Sequence, residues 1–307
     1  MFLINKIKNR ICKVEWQVAL RHRESCELDF TLSRVPFTPI PNSFRYWAAD
    51  PFIIDFKGET LLFVELYDRL KRKGLLGYMN ITNGDISKYK IVFETNCHLS
   101  YPYVFEIDGE LFAVPESNNI EKLLFLKWDK KSEKFNLVYT FMEGHSLADS
   151  NFLLWNKSLY MLTTPVSKSD NVGTLEIYKK VADKKYVPCS KNPVVVDKTQ
   201  ARNGGKIILK NGVFYRISQD CGKGYGSGLN ILRIDNISDS DYKETLVKKV
   251  FPNSLVVSGY QRIDGIHTYN CNDKFEVIDF KFNHKFSLAE FLGFFLCKFH
   301  IFNKIVK

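Results

Sequence analysis

Acidic residues recur beside apolar strands in this chain, beginning with Asp50 in the segment WAADPF. Glu116 and Asp149 stand at the ends of two later strand-like segments. Two carboxylates whose pKa values are pushed apart by burial and proximity can act as base and acid on a sugar. We assign Asp50 as the general base, Glu116 as the general acid, and Asp149 as the group that orients the substrate or tunes its neighbour.

Polar and aromatic side chains are expected around these three acids. Aromatic rings stack on sugar rings, and arginine pairs with a phosphate or a sugar carboxylate. The predicted substrate-binding residues are Arg45, Trp47, Glu65, His98, Tyr101, Arg202, Gln219, Asp220 and His267. An open alternative is that the carboxylates cap backbone amides or pair with arginines. The six histidines have no metal-ligand spacing, so we expect neither a metal nor a cofactor.

A repeat of about fifty residues must position these side chains. Five segments share an apolar strand, a polar or glycine turn and a second apolar strand. The turns fall at Lys57-Gly58, Asp108-Gly109, Asn156-Lys157, Asn211-Gly212 and Asn272-Asp273. Further strand-like runs between them, such as LLGYMNIT and YKIVFET, give about four strands per period, which is typical of a propeller blade. The prediction is an all-β, five-bladed β-propeller, with a β-sandwich as the alternative fold.

The position of each acid relative to its turn predicts where the acids meet. Asp50, Tyr101 and Asp149 precede the first residue of their turns by seven residues, whereas Glu65 and Glu116 follow theirs by eight. The start of the first strand and the end of the second lie at the same end of an antiparallel hairpin. These side chains should therefore line one funnel. An amino-terminal strand near KVEWQVAL or LDFTLS is expected to complete the last blade.

Composition limits the function classes. The chain of 307 residues is 45% hydrophobic, which supports a large folded core. Its net charge of +10 is concentrated toward the two ends, which argues against a nucleic-acid groove through the middle. The seven cysteines include no CxxC pair, and no stretch of about 18 uncharged apolar residues occurs, so we expect a reduced, cytosolic compartment.

Both ends of the chain combine basic and apolar residues. The propeller is predicted over residues 1–280, with the first ~13 residues as a basic amphipathic tail, and residues 281–307 are predicted as an amphipathic helix. Phenylalanines on one side and flanking lysines favour a helix lying in an anionic membrane surface. Packing against a blade or a partner subunit is the alternative.

The ordered motifs resemble a known family. WAADPF, LSYPYVFEIDGELFAVPES, ADSNFLLWNKSLYMLTT, ARNGGKIILKNGVFYRISQDC, YGSGLNILRI and GIHTYN resemble the amino-terminal propeller domain of plant glucosamine inositolphosphorylceramide transferases. Similar stand-alone bacterial proteins are linked to surface-polysaccharide synthesis. The architecture is also similar to arabinanase- and invertase-like glycosidases, in which acids come from successive blades. Asp50 and Asp149 match acidic positions of those glycosidases. In the second blade, Tyr101 occupies the position at which a carboxylate would be needed for the same chemistry.

Together these features predict a membrane-associated glycosyltransferase of cell-surface polysaccharide or glycolipid synthesis. The expected partners are a sugar donor, a glycan or glycolipid acceptor, an anionic membrane and other polysaccharide-synthesis enzymes, but no nucleic acid. The expected location is the inner face of the cell membrane, on the cytoplasmic side. A non-catalytic glycan-binding scaffold and an arabinanase-like glycoside hydrolase remain alternatives.

Overall fold

The computed structural model of the protein describes residues 12–25, 27–166 and 173–285. These residues form an all-β, five-bladed propeller, with two three-residue 3-10 turns as their only helical segments. None of the helices in this part of the chain is long and apolar enough to cross a bilayer.

The strands are numbered in chain order. The two outer strands of blade V come first: β1 Cys12–His22 and β2 Thr38–Pro39. Blade I contains β3 Tyr46–Phe56, β4 Glu59–Asp68, β5 Lys73–Asn80 and β6 Lys90–Phe93. Blade II contains β7 Ser100–Ile107, β8 Glu110–Glu116, β9 Leu123–Asp129 and β10 Lys134–Phe141. Blade III contains β11 Leu147–Trp155, β12 Ser158–Pro165, β13 Thr174–Ala182, β14 Lys185–Pro188 and β15 Val195–Val196.

The last two blades finish the ring. Blade IV contains β16 Ile208–Lys210, β17 Val213–Asp220, β18 Gly228–Ile237 and β19 Tyr242–Val250. Blade V adds β20 Tyr269–Cys271 and β21 Phe275–Lys285 to the first two strands, in the order β2-β1-β21-β20. The amino-terminal strand that closes the ring therefore contains KVEWQVAL, and the alternative segment LDFTLS lies outside the strands.

Four of the five predicted turns have the expected geometry. Both central residues have positive φ at Lys57-Gly58, Asp108-Gly109, Asn156-Lys157 and Asn211-Gly212. This is the backbone of a type I′ hairpin, which suits the right-handed twist of the strands. The fifth turn differs from the prediction: three residues, Asn272–Lys274, separate β20 from β21. There the side-chain oxygen of Asn272 accepts the Phe275 N–H at 2.7 Å and stabilises the longer loop.

The hydrophobic core is divided among the five blade interfaces. One cluster, for example, packs Phe52 and Phe63 of blade I against Leu126 and Trp128 of blade II. Each sheet is apolar on both of its large faces because a neighbouring blade covers each one. Burial between blades explains why the strands read as nearly continuous apolar runs.

The predicted carboxyl-terminal helix is not borne out. Its first five residues, 281–285, continue strand β21. Residues 286–307 lie outside the described residues, as do residues 1–11 of the predicted amino-terminal tail. Residues 12 and 13 of that tail begin β1.

Candidate functional site

Three inner strands carry the same distortion at one end of the propeller. Asp50, Tyr101 and Asp149 each sit in a β-bulge, with φ of 48°, 44° and 48°. A bulge leaves an N–H outside the strand ladder, and a buried N–H requires an acceptor. Carboxylates supply it: Asp279 accepts from Asp50 at 3.0 Å, Asp50 from Tyr101 at 3.0 Å, and Glu116 from Asp149 at 3.3 Å. The acids thus cap backbone amides between neighbouring blades.

His267 lies between two of these carboxylates. Its Nε2 is 3.2 Å from Asp50 Oδ1, and its Nδ1 is 2.8 Å from Asp279 Oδ2. Burial opposes protonation, but the charges of Asp279 and Asp50 outweigh it and raise the pKa of His267 to about 10. His267 is therefore an imidazolium at neutral pH.

Asp50 is held in its ionised form. Burial alone would raise the pKa of this carboxyl, but the charge and hydrogen bond of His267 outweigh burial and lower it. The Thr268 hydroxyl, which donates to Asp50 Oδ1 at 2.8 Å, and the Tyr101 N–H act in the same direction. Asp50 is consequently ionised, so that it can accept a hydrogen bond and stabilise positive charge.

Glu116 and Asp149 share one arginine. Arg202 Nε lies 2.5 Å from Asp149 Oδ2, and Arg202 Nη2 lies 3.4 Å from Glu116 Oε2. Gln219 Nε2 also donates to Asp149 Oδ2, at 2.9 Å. Burial, followed by the charge of Asp149, raises the pKa of Glu116 well above its usual range although Arg202 opposes the shift. The environment therefore favours the protonated acid at Glu116.

Glu65 is a second buried acid beside this cluster. Burial and the charge of Asp50 raise the pKa of Glu65 well above its usual range. Its Oε1 has no hydrogen-bond partner among the described residues and lies 3.5 Å from His98 Nε2. Burial lowers the pKa of His98, so the imidazole gives little positive charge that could stabilise an ionised Glu65. Glu65 can thus supply a proton in addition to Glu116.

Tyr225 covers the cluster. Its ring lies over Arg202, with the guanidinium carbon 5.5 Å from the ring centroid, and 5.0 Å from the ring of His267. It belongs to the glycine-rich connection between β17 and β18, in which Gly224 and Gly226 have φ of 124° and 76°. Asp50 is only 4% exposed. Direct access to the carboxylates therefore requires Tyr225 to move.

One surface cavity lies next to the buried cluster, and a second lies away from it. A pocket of about 600 Å³ adjoins Tyr225 and is lined by Asp220, Lys223 and Lys281, among others. A larger groove of about 920 Å³ lies elsewhere, between Tyr46 and Tyr89. The smaller pocket is the better approach to the site because Tyr225 lines it and also contacts Arg202 and His267 of the buried cluster.

The structure brings most of the predicted site residues to one end of the propeller. Asp50, Glu116, Asp149 and Arg202 form the buried cluster, together with neighbours that the sequence also predicted: Glu65, Gln219 and His267. We call this end of the propeller the carboxylate face, and the end with the hairpin turns the opposite face.

Other predicted residues occupy different environments. Arg45 pairs with Asp68 at 2.8 Å, Trp47 stacks on Tyr67 with ring centroids 4.6 Å apart, and Asp220 lines the adjoining pocket. Tyr101 is fully buried, and its hydroxyl donates to Asn151 Oδ1 at 3.0 Å. The Tyr101 ring is therefore part of the central core, and a sugar cannot stack on it in this conformation.

Sequence reasoning missed two residues of the site. Asp279 lies in the apolar run FEVIDF, where a lone acid between Ile278 and Phe280 was the available signal. Tyr225 lies in CGKGYGSGLN, where the glycines indicate an unusual backbone and give no signal for the tyrosine side chain.

The Asp50, His267 and Asp279 trio also has the residue types of a cation site. One ligand atom from each lies within 4.8 Å of the others. A metal ion requires neutral imidazole, whereas the two carboxylates hold His267 as a cation. A cation bound by the trio would therefore compete with the proton that the two carboxylates hold on His267.

The family model described as "Glucosamine inositolphosphorylceramide transferase 1, N-terminal" matches residues 34–271. The chain belongs to this family. Glucosamine inositolphosphorylceramide transferase 1 of Arabidopsis thaliana is 32% identical over 218 residues, which are 68% of this chain and 28% of that protein. The protein of the same name from Oryza sativa subsp. indica is 27% identical over 212 residues, 66% of this chain and 28% of that protein. The match thus spans little more than a quarter of these relatives.

Solved structures share the architecture of this family member. The catalytic domain of a GH62 α-L-arabinofuranosidase from Coprinopsis cinerea has a TM-score of 0.56 and 9% identity, over 76% of this chain and 90% of that one. The α-L-arabinofuranosidase PaAbf62A from Podospora anserina has a TM-score of 0.52 and 10% identity, over 78% and 92%. At this identity the likeness shows the fold alone.

Proposed function

We propose that the protein is a carbohydrate-active propeller of glycolipid or cell-surface polysaccharide synthesis, and that it acts as a glycosyltransferase at the carboxylate cluster. The curated relatives are named as transferases, which supports this reaction class. The proposal includes a peripheral position on the cytoplasmic side of the membrane and contact with other polysaccharide-synthesis enzymes.

The observation that carries this proposal is the buried cluster at one end of the propeller, in which His267 lies 3.2 Å from Asp50 and Arg202 joins Glu116 to Asp149. The pKa of Asp50 is lowered and that of Glu116 is raised. In our mechanism Asp50 accepts the proton of the acceptor hydroxyl as its oxygen bonds to the anomeric carbon. Glu116, or Glu65 beside it, donates a proton to the leaving oxygen as the bond to the donor breaks. Asp149, fixed by Arg202, orients the sugar.

Substitution of the acids tests this mechanism. We expect Asp50→Asn, Glu116→Gln and Asp149→Asn each to lower turnover of a nucleotide- or lipid-linked sugar by about 100-fold or more. The matched control is Asp108→Asn, which makes the same acid-to-amide change in an exposed turn of the opposite face. Product formation is measured by mass spectrometry, and unfolding curves confirm that each variant is folded.

A glycan-binding scaffold is the second candidate. It is favoured by the internal hydrogen bonds of the carboxylates, which cap bulges and hold the blades together. Undiminished glycan production by folded variants at all three acids would support the scaffold and refute the transferase mechanism. A requirement for an activated donor, in turn, separates a transferase from a glycoside hydrolase.

A further inference from the structure

The start of the first strand and the end of the last strand lie side by side in blade V. Strands β1 and β21 are paired antiparallel along their whole length, and the last pair is Cys12 with Lys285. Cys12 and Lys285, to which the flanking segments, residues 1–11 and 286–307, are joined along the chain, are therefore neighbours.

Cys12 and Lys285 both lie at the carboxylate face. Strand β21 runs in the same direction as β4 and β8, whose ends carry Glu65 and Glu116. Gly265, which corresponds to Asp50 in the repeat, is bridged to Lys281. Residues 282–285 thus extend beyond the level of the carboxylates, by about 13 Å at ~3.3 Å per residue.

This extension is anchored to the ring. Arg69 binds Glu15 of β1 with two hydrogen bonds, Nε to Oε1 at 2.9 Å and Nη2 to Oε2 at 2.7 Å. Arg69 Nη1 also donates to the carbonyl oxygens of Ser43 and Phe44, each at 2.7 Å. These contacts hold the amino-terminal half of β1 against the loops 43–44 and 69–72 of blade I.

The composition of the flanking segments suits an anionic lipid surface. Residues 1–11 contain Lys6, Lys8 and Arg10 and no acid. Residues 286–307 contain six phenylalanines and three lysines against Glu290. Apolar insertion combined with basic residues gives stable membrane attachment where either alone is weak.

The loops of the carboxylate face add positive charge. In the connection Arg69-Leu70-Lys71-Arg72, Arg69 pairs with Glu15 and Lys71 with Glu94, which leaves the charge of exposed Arg72, and Lys223 is exposed in the glycine-rich connection. In contrast, the connection 238–241 on the opposite face, Ser-Asp-Ser-Asp, carries two acids and no base. The charge difference favours contact of the carboxylate face with anionic headgroups.

We propose that the carboxylate face docks flat on an anionic membrane, so that Tyr225 and the adjoining pocket open toward the lipid headgroups. The acceptor or donor is then a lipid-linked sugar or phosphate presented from that surface. The choice of substrate class rests on the proposed function, whereas the orientation rests only on strand direction and charge.

Binding to vesicles with matched charge reversals tests the orientation. Arg72→Glu on the carboxylate face and Lys184→Glu on the opposite face both replace an exposed turn residue with φ of 57°. A basic residue at an anionic surface contributes about 1 kcal/mol, so we expect Arg72→Glu to weaken binding to phosphatidylserine-containing vesicles about tenfold or more. Lys184→Glu should change it less than twofold, and vesicles of phosphatidylcholine alone should bind all forms weakly.

A second variant reports on the flanking segment. Phe294→Ser together with Phe295→Ser should weaken vesicle binding at high salt, where the effect of Arg72→Glu is largely screened. Equal losses for Arg72→Glu and Lys184→Glu, or no binding by the unmodified protein, would overturn the proposed orientation. Vesicle binding, measured by cosedimentation, requires no turnover. A failure of the membrane proposal is therefore distinguishable from a failure of the catalytic proposal, which the Asp50→Asn assay reports.

Discussion

At the scale of single residues, the carboxylates of this propeller have two physical roles. A bulged strand exposes an amide that only a nearby acceptor can satisfy, and Asp279, Asp50 and Glu116 each meet that need for the next blade. Burial raises the pKa of Glu116, whereas the charge of His267 outweighs burial at Asp50 and lowers the pKa of that carboxyl. Capping therefore explains why the acids are positioned so firmly, and the pKa shifts explain how such acids could also perform chemistry.

The buried His267 ion pairs should give stability a distinctive pH dependence. The folded pKa of about 10 lies above the unfolded value of 6.5. Stability from His267 is thus fully present below pH ~6.5 and is lost as the pH rises through about 10. We expect the melting temperature of the wild type to fall over this interval more steeply than that of His267→Gln. Parallel curves for the two proteins would show that His267 is not an imidazolium in the folded state.

At the scale of elements, close backbone approach fixes the centre of the ring. Gly205 has φ of 147°, and a Cβ there would lie 2.0 Å from the carbonyl oxygen of Tyr269. Its N–H also donates to the Tyr101 hydroxyl at 3.0 Å. Blades II, IV and V therefore meet at this residue with no space for a side chain.

Gly205→Ala should consequently lower the free energy of unfolding by about 3 kcal/mol or more, since strain and the clash add. Gly212→Ala is the control, because its φ is 78° but a Cβ there meets nothing within 4 Å; it should cost about 1 kcal/mol. Urea denaturation measures both. Similar losses at the two glycines would contradict the tight central contact.

The elements were largely predictable because their signals are local. Paired turn residues such as Asp108-Gly109 specify a hairpin, and the alternation of four such turns with apolar runs specifies the blades. The fifth turn was predicted too short because Asn272 caps its own loop, a contact that depends on side-chain geometry.

The site was predictable only in outline. Register alone placed Asp50, Glu116 and Asp149 at one end, since equal spacing from a turn gives equal height in the ring. Register could not show that Arg202 would join Glu116 to Asp149, or that Tyr225 would cover them. Those contacts link residues far apart in sequence, and they depend on how the blades twist and pack.

At the scale of the whole molecule, ring closure joins the two ends of the chain. Strand β1 pairs with β21 and completes blade V, so the last blade contains residues from both ends of the fold. In each other blade a loop connects the second and third strands at the carboxylate face. In blade V the end of β21 and the start of β1 lie at that face instead.

The central claim is that sugar chemistry takes place at this shared cluster. The most direct measurement is a crystal structure of the Asp50→Asn variant soaked with nucleotide sugars and a lipid-linked sugar. Our account predicts sugar density within hydrogen-bond distance of Glu116 or Asp149, with Tyr225 displaced from Arg202. Density confined to the groove between Tyr46 and Tyr89, or no density at saturating ligand, would contradict it.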